Sequence, residues 1–139
     1  MARTRVETRA RARALQALYA WELRGSQDLG RVANELFDDL LVGDAERKLA
    51  SQLLQTAREH LTELDGEISS VTTNWRLDRV GVVERCALRL AAAELYRGET
   101  PPRVVLREAI RLSERYGSPE SAKFVNGVLD ALARKMGRL

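Results

Sequence analysis

The sequence predicts an all-α protein, a single compact domain of about seven helices around a central apolar helix. The 139 residues suffice for one ordinary domain, and 45% hydrophobic with 31% charged residues is typical of a folded chain. Apolar residues recur at helical spacing, and no segment shows strict apolar–polar alternation. The three prolines and most of the glycines fall between the periodic segments, where helices end.

Four helices are predicted in the N-terminal half of the chain. They cover about residues 4–24, 29–41, 44–64 and 65–72. Gly25 ends the first helix and Gly43 follows the second, while Asp44 has the residue type of an N-cap for the third. We expect this half, residues 1–73, to form one of two packed helical subdomains.

Three further helices are predicted in the second subdomain, residues 78–139. They cover about residues 79–97, 103–116 and 120–136. The connector 74–78 ends in Asp78, a candidate cap, and residues 98–102 and 117–119 hold the glycines and prolines that separate the helices. Asn126-Gly127 resembles a hairpin turn, but its apolar neighbours recur at helical spacing. We therefore predict a helix through Gly127, with another helix packed close to it.

Positive charge is concentrated at the start of the chain. Residues 1–24 hold six arginines against two glutamates, a formal charge of +4, while the other 115 residues sum to −1. Arg5, Arg9 and Arg13 recur every four residues and are predicted to form a ladder on the solvent side of the first helix. Such a patch attracts polyanions. Arg11 projects into the apolar sector of the same helix, where it needs a carboxylate or phosphate partner.

Composition argues against most other function classes. Cys86 and His60 are the only residues of their types, so neither an internal disulfide nor a metal site is expected. No apolar run approaches a membrane span, and glycine-rich phosphate loops are absent. The central helix is apolar almost all round, which predicts an inert Cys86 and a structural ion pair for Glu94. We expect a cytoplasmic, non-enzymatic protein without a cofactor.

Four segments of the chain resemble the NusB family of transcription antitermination factors. They are residues 11–22, 83–95, 101–112 and 123–130, and the last contains the most specific match, Phe-Val-Asn-Gly-Val-Leu. The resemblance implies an all-α protein that binds boxA-type RNA together with the ribosomal protein NusE. Other Nus factors and RNA polymerase complete a complex that resists termination, notably in ribosomal RNA operons. It leaves open whether the chain is a monomer or a homodimer.

The same resemblance implies twelve RNA-binding residues. On the first helix they are Arg5, Arg9, Arg11, Arg13, Gln16 and Tyr19, and farther along the chain Glu84, Tyr116, Glu120, Ser121, Lys123 and Phe124. Phosphate contacts would set the affinity, while side chains near the last two helices would read unstacked bases. The chain departs from the family pattern at Glu7 and Thr8, where the arm is often basic, and at Pro102, where some relatives have an aromatic residue.

Two other functions are compatible with the sequence. Some ribosomal RNA cytosine methyltransferases carry a NusB-like domain, but such enzymes need a cofactor domain and catalytic cysteines that residues 1–139 do not supply. Alternatively, the chain is an interaction module that binds proteins only, with an inert arginine ladder. Alanine substitution of Arg9, Arg11 and Arg13 separates this reading from RNA binding.

Overall fold

Seven α-helices account for most of the residues that the computed structural model describes, which are 2–25, 27–72 and 80–139, with side chains from Arg5 onward. The helices are α1 (Ala2–Arg24), α2 (Leu29–Asp39), α3 (Asp44–Glu59), α4 (Leu61–Ser70), α5 (Val82–Arg97), α6 (Pro102–Tyr116) and α7 (Pro119–Lys135). These ranges contain no strand, which confirms the all-α prediction. None of the seven helices has the length and apolar character that crossing a membrane requires.

Helix α5 is the centre of the fold, as predicted. Residues 86–95 are all buried, including two charged side chains, and α5 packs against α1, α3, α4, α6 and α7. A helix that is apolar on every side can be covered only by neighbours on every side. Helix α1 lies between α5 and the pair α2 and α3, while α6 and α7 pack on each other and on α5.

The helix ends follow the local chemistry in most places. Gly25 and Gly98 adopt the left-handed conformation that glycine accepts at little cost, with φ of 77° and 72°. Asp28 caps α2 by accepting a hydrogen bond from the backbone N–H of Arg31, and Ser118 caps α7 by accepting one from that of Ser121. The predicted connector 74–78, with the candidate cap Asp78, lies outside the described residues.

Several predicted boundaries were wrong. The fifth helix begins at Val82, with Gly81 at the cap position, rather than near residue 79 after Asp78. The third helix ends at Glu59 rather than near residue 64, because His60 (φ −116°, ψ 21°) leaves the helical conformation and α4 begins immediately after it. The His60 ring packs against Tyr96 of α5, with 4.3 Å between ring centroids, and this contact accompanies the turn. Asp44 is the first residue of α3, and Gly43 holds the cap position. Helix α2 stops at Asp39, and the two residues that follow it are exposed leucines.

Gly127 lies inside α7, but the expectation that another helix packs close to it was wrong. A Cβ at this position would have no other atom within 4 Å apart from its own helix and neighbours. Alanine has a higher helix propensity than glycine, so Gly127→Ala is expected to raise the free energy of unfolding by about 1 kcal/mol in urea denaturation.

Gly117 provides the matched control for that substitution. Its Cβ would lie 2.8 Å from the backbone oxygen of Ser113, which cannot move without disturbing α6. Gly117→Ala is therefore expected to destabilise the protein. Destabilisation by Gly127→Ala would contradict the first assignment, and stabilisation by Gly117→Ala would contradict the second.

Candidate nucleic-acid interface

The two faces of α1 carry different kinds of arginine. Arg5 and Arg9 are exposed, and Arg13 is half-buried, so the predicted ladder lies at the surface. Arg9 makes one weak ion pair, with 3.5 Å between its Nη1 and Oε1 of Glu46, and Arg13 donates a hydrogen bond of 3.1 Å to Oε1 of Gln16. The ladder guanidinium groups therefore keep donors that an incoming anion can reach.

Arg11 points the other way, into the protein, where only 5% of it is exposed. Its Nε and Nη2 donate to the carboxylate of Glu94 at 2.9 and 2.5 Å, and its Nη1 lies 3.5 Å from Oε1 of Glu108. Thr8 donates a further hydrogen bond of 3.0 Å to Glu108. Burial alone would lower the pKa of Arg11, but Glu94 and Glu108 outweigh it and raise the pKa.

Two carboxylates are the partners of Arg11 in this structure, and only 5% of the residue is exposed. Direct contact of Arg11 with RNA stays a prediction. The carboxylate contacts confirm the predicted structural ion pair of Glu94. The ion pairs of Arg11 with Glu94 and Glu108 tie α1 to α5 and α6 and so fix the rotation of α1.

A second ion-pair network, which the sequence analysis missed, anchors the other end of α1. Glu22 accepts hydrogen bonds from Arg85, at 2.8 and 3.2 Å, and from Arg89. Arg89 also donates two bonds of 2.9 Å to Asp65 of α4. The hydrogen bond from Arg85 lowers the pKa of Glu22, against the effect of its burial. These partners are up to 67 residues apart, so no local pattern reveals them.

A groove lies between α1, α5 and α6, beside the ladder. We call it the tyrosine groove; it has a volume of about 190 Å³ and is lined by Leu15, Gln16, Tyr19, Val83 and Tyr116. Gln16 donates a hydrogen bond of 3.3 Å to the hydroxyl of Tyr116, while 41% of Tyr19 is exposed. The guanidinium carbon of Arg115 lies 5.2 Å from the centre of the Tyr116 ring. Two aromatic side chains beside a cation can stack on an unpaired base.

A second concavity lies at the junction of α5 and α7. We call it the serine pocket; it has a volume of about 240 Å³ and is lined by Val80, Gly81, Glu84, Ser118, Glu120, Ser121 and Phe124. Ser121 donates a hydrogen bond to the Glu84 carboxylate and lies 3.0 Å from the hydroxyl of Ser118. The pocket thus has fixed hydrogen-bonding groups beside an aromatic ring, a combination suited to reading a base edge. Lys123, next to Phe124 in sequence, is exposed.

Most of the twelve residues suggested by the family resemblance therefore meet in space. Seven line the tyrosine groove or the serine pocket, which adjoin through consecutive residues of α5, and three form the ladder. Cys86 contributes nothing to this surface: it is fully buried, and burial raises the pKa of its thiol to about 12. Over the described ranges, no three His, Cys, Asp or Glu residues are grouped to hold a metal ion.

The chain is similar to NusB proteins over most of its length. The family model described as the NusB family matches residues 8–134. The transcription antitermination protein NusB of Anaeromyxobacter dehalogenans is 45% identical over 135 residues, which is 91% of this chain and 89% of that protein. The protein of the same name from Sorangium cellulosum is 45% identical over 131 residues, which is 93% of this chain and 92% of that protein.

Solved structures agree with the sequence matches. A crystal structure of the antitermination factors NusB and NusE in complex with dsRNA contains a chain that superposes with a TM-score of 0.87 at 34% identity, covering 94% of this chain and 98% of that one. T. maritima NusB superposes with a TM-score of 0.83 at 35% identity, covering 92% and 90%. By sequence and by fold, this chain belongs to the NusB family.

Proposed function

We propose that this chain is a transcription antitermination factor that binds RNA together with the ribosomal protein NusE. Its relatives carry the name of transcription antitermination proteins, and one matched structure holds NusB, NusE and dsRNA. The family acts by binding rather than by catalysis, in agreement with the non-enzymatic prediction. The observation that carries the proposal is the exposed arginine ladder of α1 beside the tyrosine groove and the serine pocket.

In the proposed complex, the ladder binds the RNA backbone. Guanidinium groups match phosphate geometry with two parallel hydrogen bonds, and Arg5 has no ion pair among the described residues that would compete. When RNA binds, Arg9 gives up its one long ion pair with Glu46 and contacts a phosphate instead. Phosphate contacts of this kind set the affinity and make it sensitive to salt, but they do not select a sequence.

Base selection is assigned to the two concavities. Tyr19 and Tyr116 offer stacking surfaces, and Phe124 offers a third in the serine pocket. The Glu84 carboxylate can accept a hydrogen bond from the amino group of a base. Because Ser121 already donates to Glu84, that carboxylate is held in place before RNA arrives, which reduces the entropy cost of binding.

We assign single-stranded boxA-type RNA as the ligand, with other Nus factors and RNA polymerase in the larger complex, in the cytoplasm and notably on ribosomal RNA operons. Residues 1–73 and 78–139 act as two packed helical halves, since α1 supplies one side of the tyrosine groove and α5 and α6 the other. Self-association, if it covers the ladder, would compete with RNA.

The ladder can be tested by changing Arg5, Arg9 and Arg13 to alanine together. Because each arginine–phosphate contact at the surface contributes about 0.5–1 kcal/mol, affinity for boxA RNA should fall roughly 10- to 100-fold. The slope of log affinity against log salt should become shallower by about 2, or 0.7 for each of three phosphates. Fluorescence anisotropy with boxA and scrambled RNA, with and without NusE, measures both quantities.

The control variant removes three basic side chains elsewhere, Arg31, Lys48 and Arg58, which are exposed on α2 and α3. It lowers the net charge by the same amount and should leave the salt slope almost unchanged. Equal losses in the two variants would mean that only net charge matters. Unchanged RNA binding by the ladder variant would favour the module that binds proteins only.

A further inference from the structure

A second row of arginines lies on α6, and of its members only Arg115, beside the tyrosine groove, has been described above. Its members recur every four residues and are all exposed: Arg103, Arg107, Arg111 and Arg115. The fifteen residues of α6 include these four arginines and only two acidic residues, Glu108 and Glu114. Glu108 is buried and already binds Arg11 and Thr8. Glu114 is therefore the one acidic side chain of α6 at the surface beside this row. We call the four arginines the α6 ladder.

The α6 ladder runs alongside the α1 ladder. Thr8 bonds to Glu108, and Gln16 bonds to Tyr116, so the two helices run in the same direction and are joined by these side chains rather than by close backbone packing. In both hydrogen bonds the partners are 100 residues apart in sequence. Residues 105–113 of α6 therefore lie at the same height along the helix axes as residues 5–13 of α1. Arg5 precedes Thr8 by three residues and therefore lies on the side of α1 that faces α6.

Beyond the α6 ladder, a groove of about 410 Å³ separates α6 from α7. It is lined by Arg103, Leu106, Arg107, Ile110, Arg111, Asp130, Arg134 and Leu139. Four of these eight residues are arginines, and one is acidic. Asp130 already pairs with Arg134 at 3.0 Å. The groove thus presents a cationic rim above apolar side chains.

The arginines of the α6 ladder are poorly neutralised within the described part of the chain. Arg103 and Arg107 have no carboxylate within 4.0 Å there, and Arg111 reaches only Glu108, at 3.9 Å. Other exposed arginines of the protein do pair: Arg31 with Glu35 at 3.2 Å and Arg58 with Asp28 at 3.6 Å. Like charges four residues apart destabilise a helix by a few tenths of a kcal/mol per pair. A bound polyanion would remove that repulsion.

We propose that the α6 ladder is a second RNA-backbone site, which binds nucleotides flanking those held at α1. This inference rests on the proposed function and extends it, since none of these arginines belongs to the twelve residues implied by the family. RNA is favoured over an acidic protein because the α6 ladder lies at the same heights as the α1 ladder on a parallel helix, within reach of nucleotides that flank those bound at α1. The row from Arg103 to Arg115 is about 18 Å long, at 1.5 Å per helical residue.

The test changes Arg103 and Arg107 to glutamine in the full chain and measures binding in the presence of NusE to two RNAs. One is a boxA segment of about 10 nucleotides, and the other is the same segment within about 30 nucleotides, longer than a typical single-strand site. For the long RNA, we expect a salt slope shallower by about 1.4, or 0.7 for each of two phosphates, and an affinity about tenfold lower. Binding of the short RNA should not change.

The matched control is Arg31→Gln with Arg58→Gln, which removes the same charge from α2 and α3. An unchanged affinity for the long RNA overturns the inference and leaves the proposed function intact. Equal losses on the two RNAs overturn the assignment to flanking nucleotides. A loss of NusE binding with RNA binding intact identifies a protein partner instead. If the unmodified chain with NusE binds neither RNA, both the proposed function and this inference are wrong.

Discussion

Replacing Glu94 with alanine is expected to lower the free energy of unfolding by about 3–5 kcal/mol, which is a large part of the stability of a domain of this size. The variant leaves the Arg11 guanidinium buried, with only the 3.5 Å contact to Glu108. Urea denaturation followed by circular dichroism measures the loss. Glu99→Ala is the control, because Glu99 pairs with Arg97 at the surface and should contribute less than about 1 kcal/mol.

A compensated variant separates the structural role of Arg11 from any contact with RNA. Arg11→Met, Glu94→Leu and Glu108→Gln together remove every charge of the buried cluster, and such apolar replacements are often neutral or stabilising. Glu108 must change as well, since it would otherwise stay buried without its partner. We expect this triple variant to regain most of the stability and to keep its affinity for boxA RNA. A stable triple variant that no longer binds RNA would show that Arg11 contacts the ligand.

The second large effect is expected at Glu22. Changing it to glutamine removes a charge that receives hydrogen bonds from both Arg85 and Arg89, so the free energy of unfolding at pH 7 should fall by about 2–3 kcal/mol. Glu35→Gln is a close control: Glu35 also bonds to two arginines, Arg24 and Arg31, but all three side chains are largely exposed. Its loss should change stability by less than about 1 kcal/mol.

The pH dependence of the Glu22 effect has a defined sign. The folded protein lowers the pKa of Glu22 below its ordinary value of 4.5, so the unfolded chain takes up the proton first as the pH falls. The stabilisation is complete above pH 4.5 and is lost as the pH falls toward the pKa of the folded state. The difference in stability between the unmodified protein and Glu22→Gln should therefore shrink on acidification. A difference that stayed constant from pH 7 to acid would contradict the assignment.

Local sequence patterns were sufficient for the helices but not for every helix end. Periodicity and the placement of glycine and proline predicted seven helices and the central position of α5. They did not predict the break at His60, because the apolar repeat continues past it and neither glycine nor proline marks it. The accompanying stack on Tyr96 joins residues 36 positions apart, and helical periodicity carries no information at that distance.

At the candidate interface, too, local sequence patterns predicted which side chains lie at the surface but not which distant residues they contact. The spacing of Arg5, Arg9 and Arg13 was enough to place the α1 ladder on the surface. For Arg11, the same pattern required an anionic partner but could not name one, since Glu94 and Glu108 lie 83 and 97 residues away. The α6 ladder was visible in the sequence as a repeat of four. The net charge of the 115 residues after Arg24 conceals this row, because their acids and bases nearly cancel.

The hydrogen bonds between α1 and α6 join residues that are 100 positions apart, so the interface that these helices share can form only late in synthesis. Chains emerge from the ribosome N-terminus first. Before Glu94 is synthesised, the Arg11 guanidinium lacks the carboxylate that pairs with it in the core. Before Tyr116 is synthesised, Gln16 lacks its hydrogen-bond partner on α6. A nascent chain that carries only the first helices thus exposes the α1 ladder without the groove or the pocket. Under the proposed function, selective RNA binding therefore requires that α7 has left the ribosome.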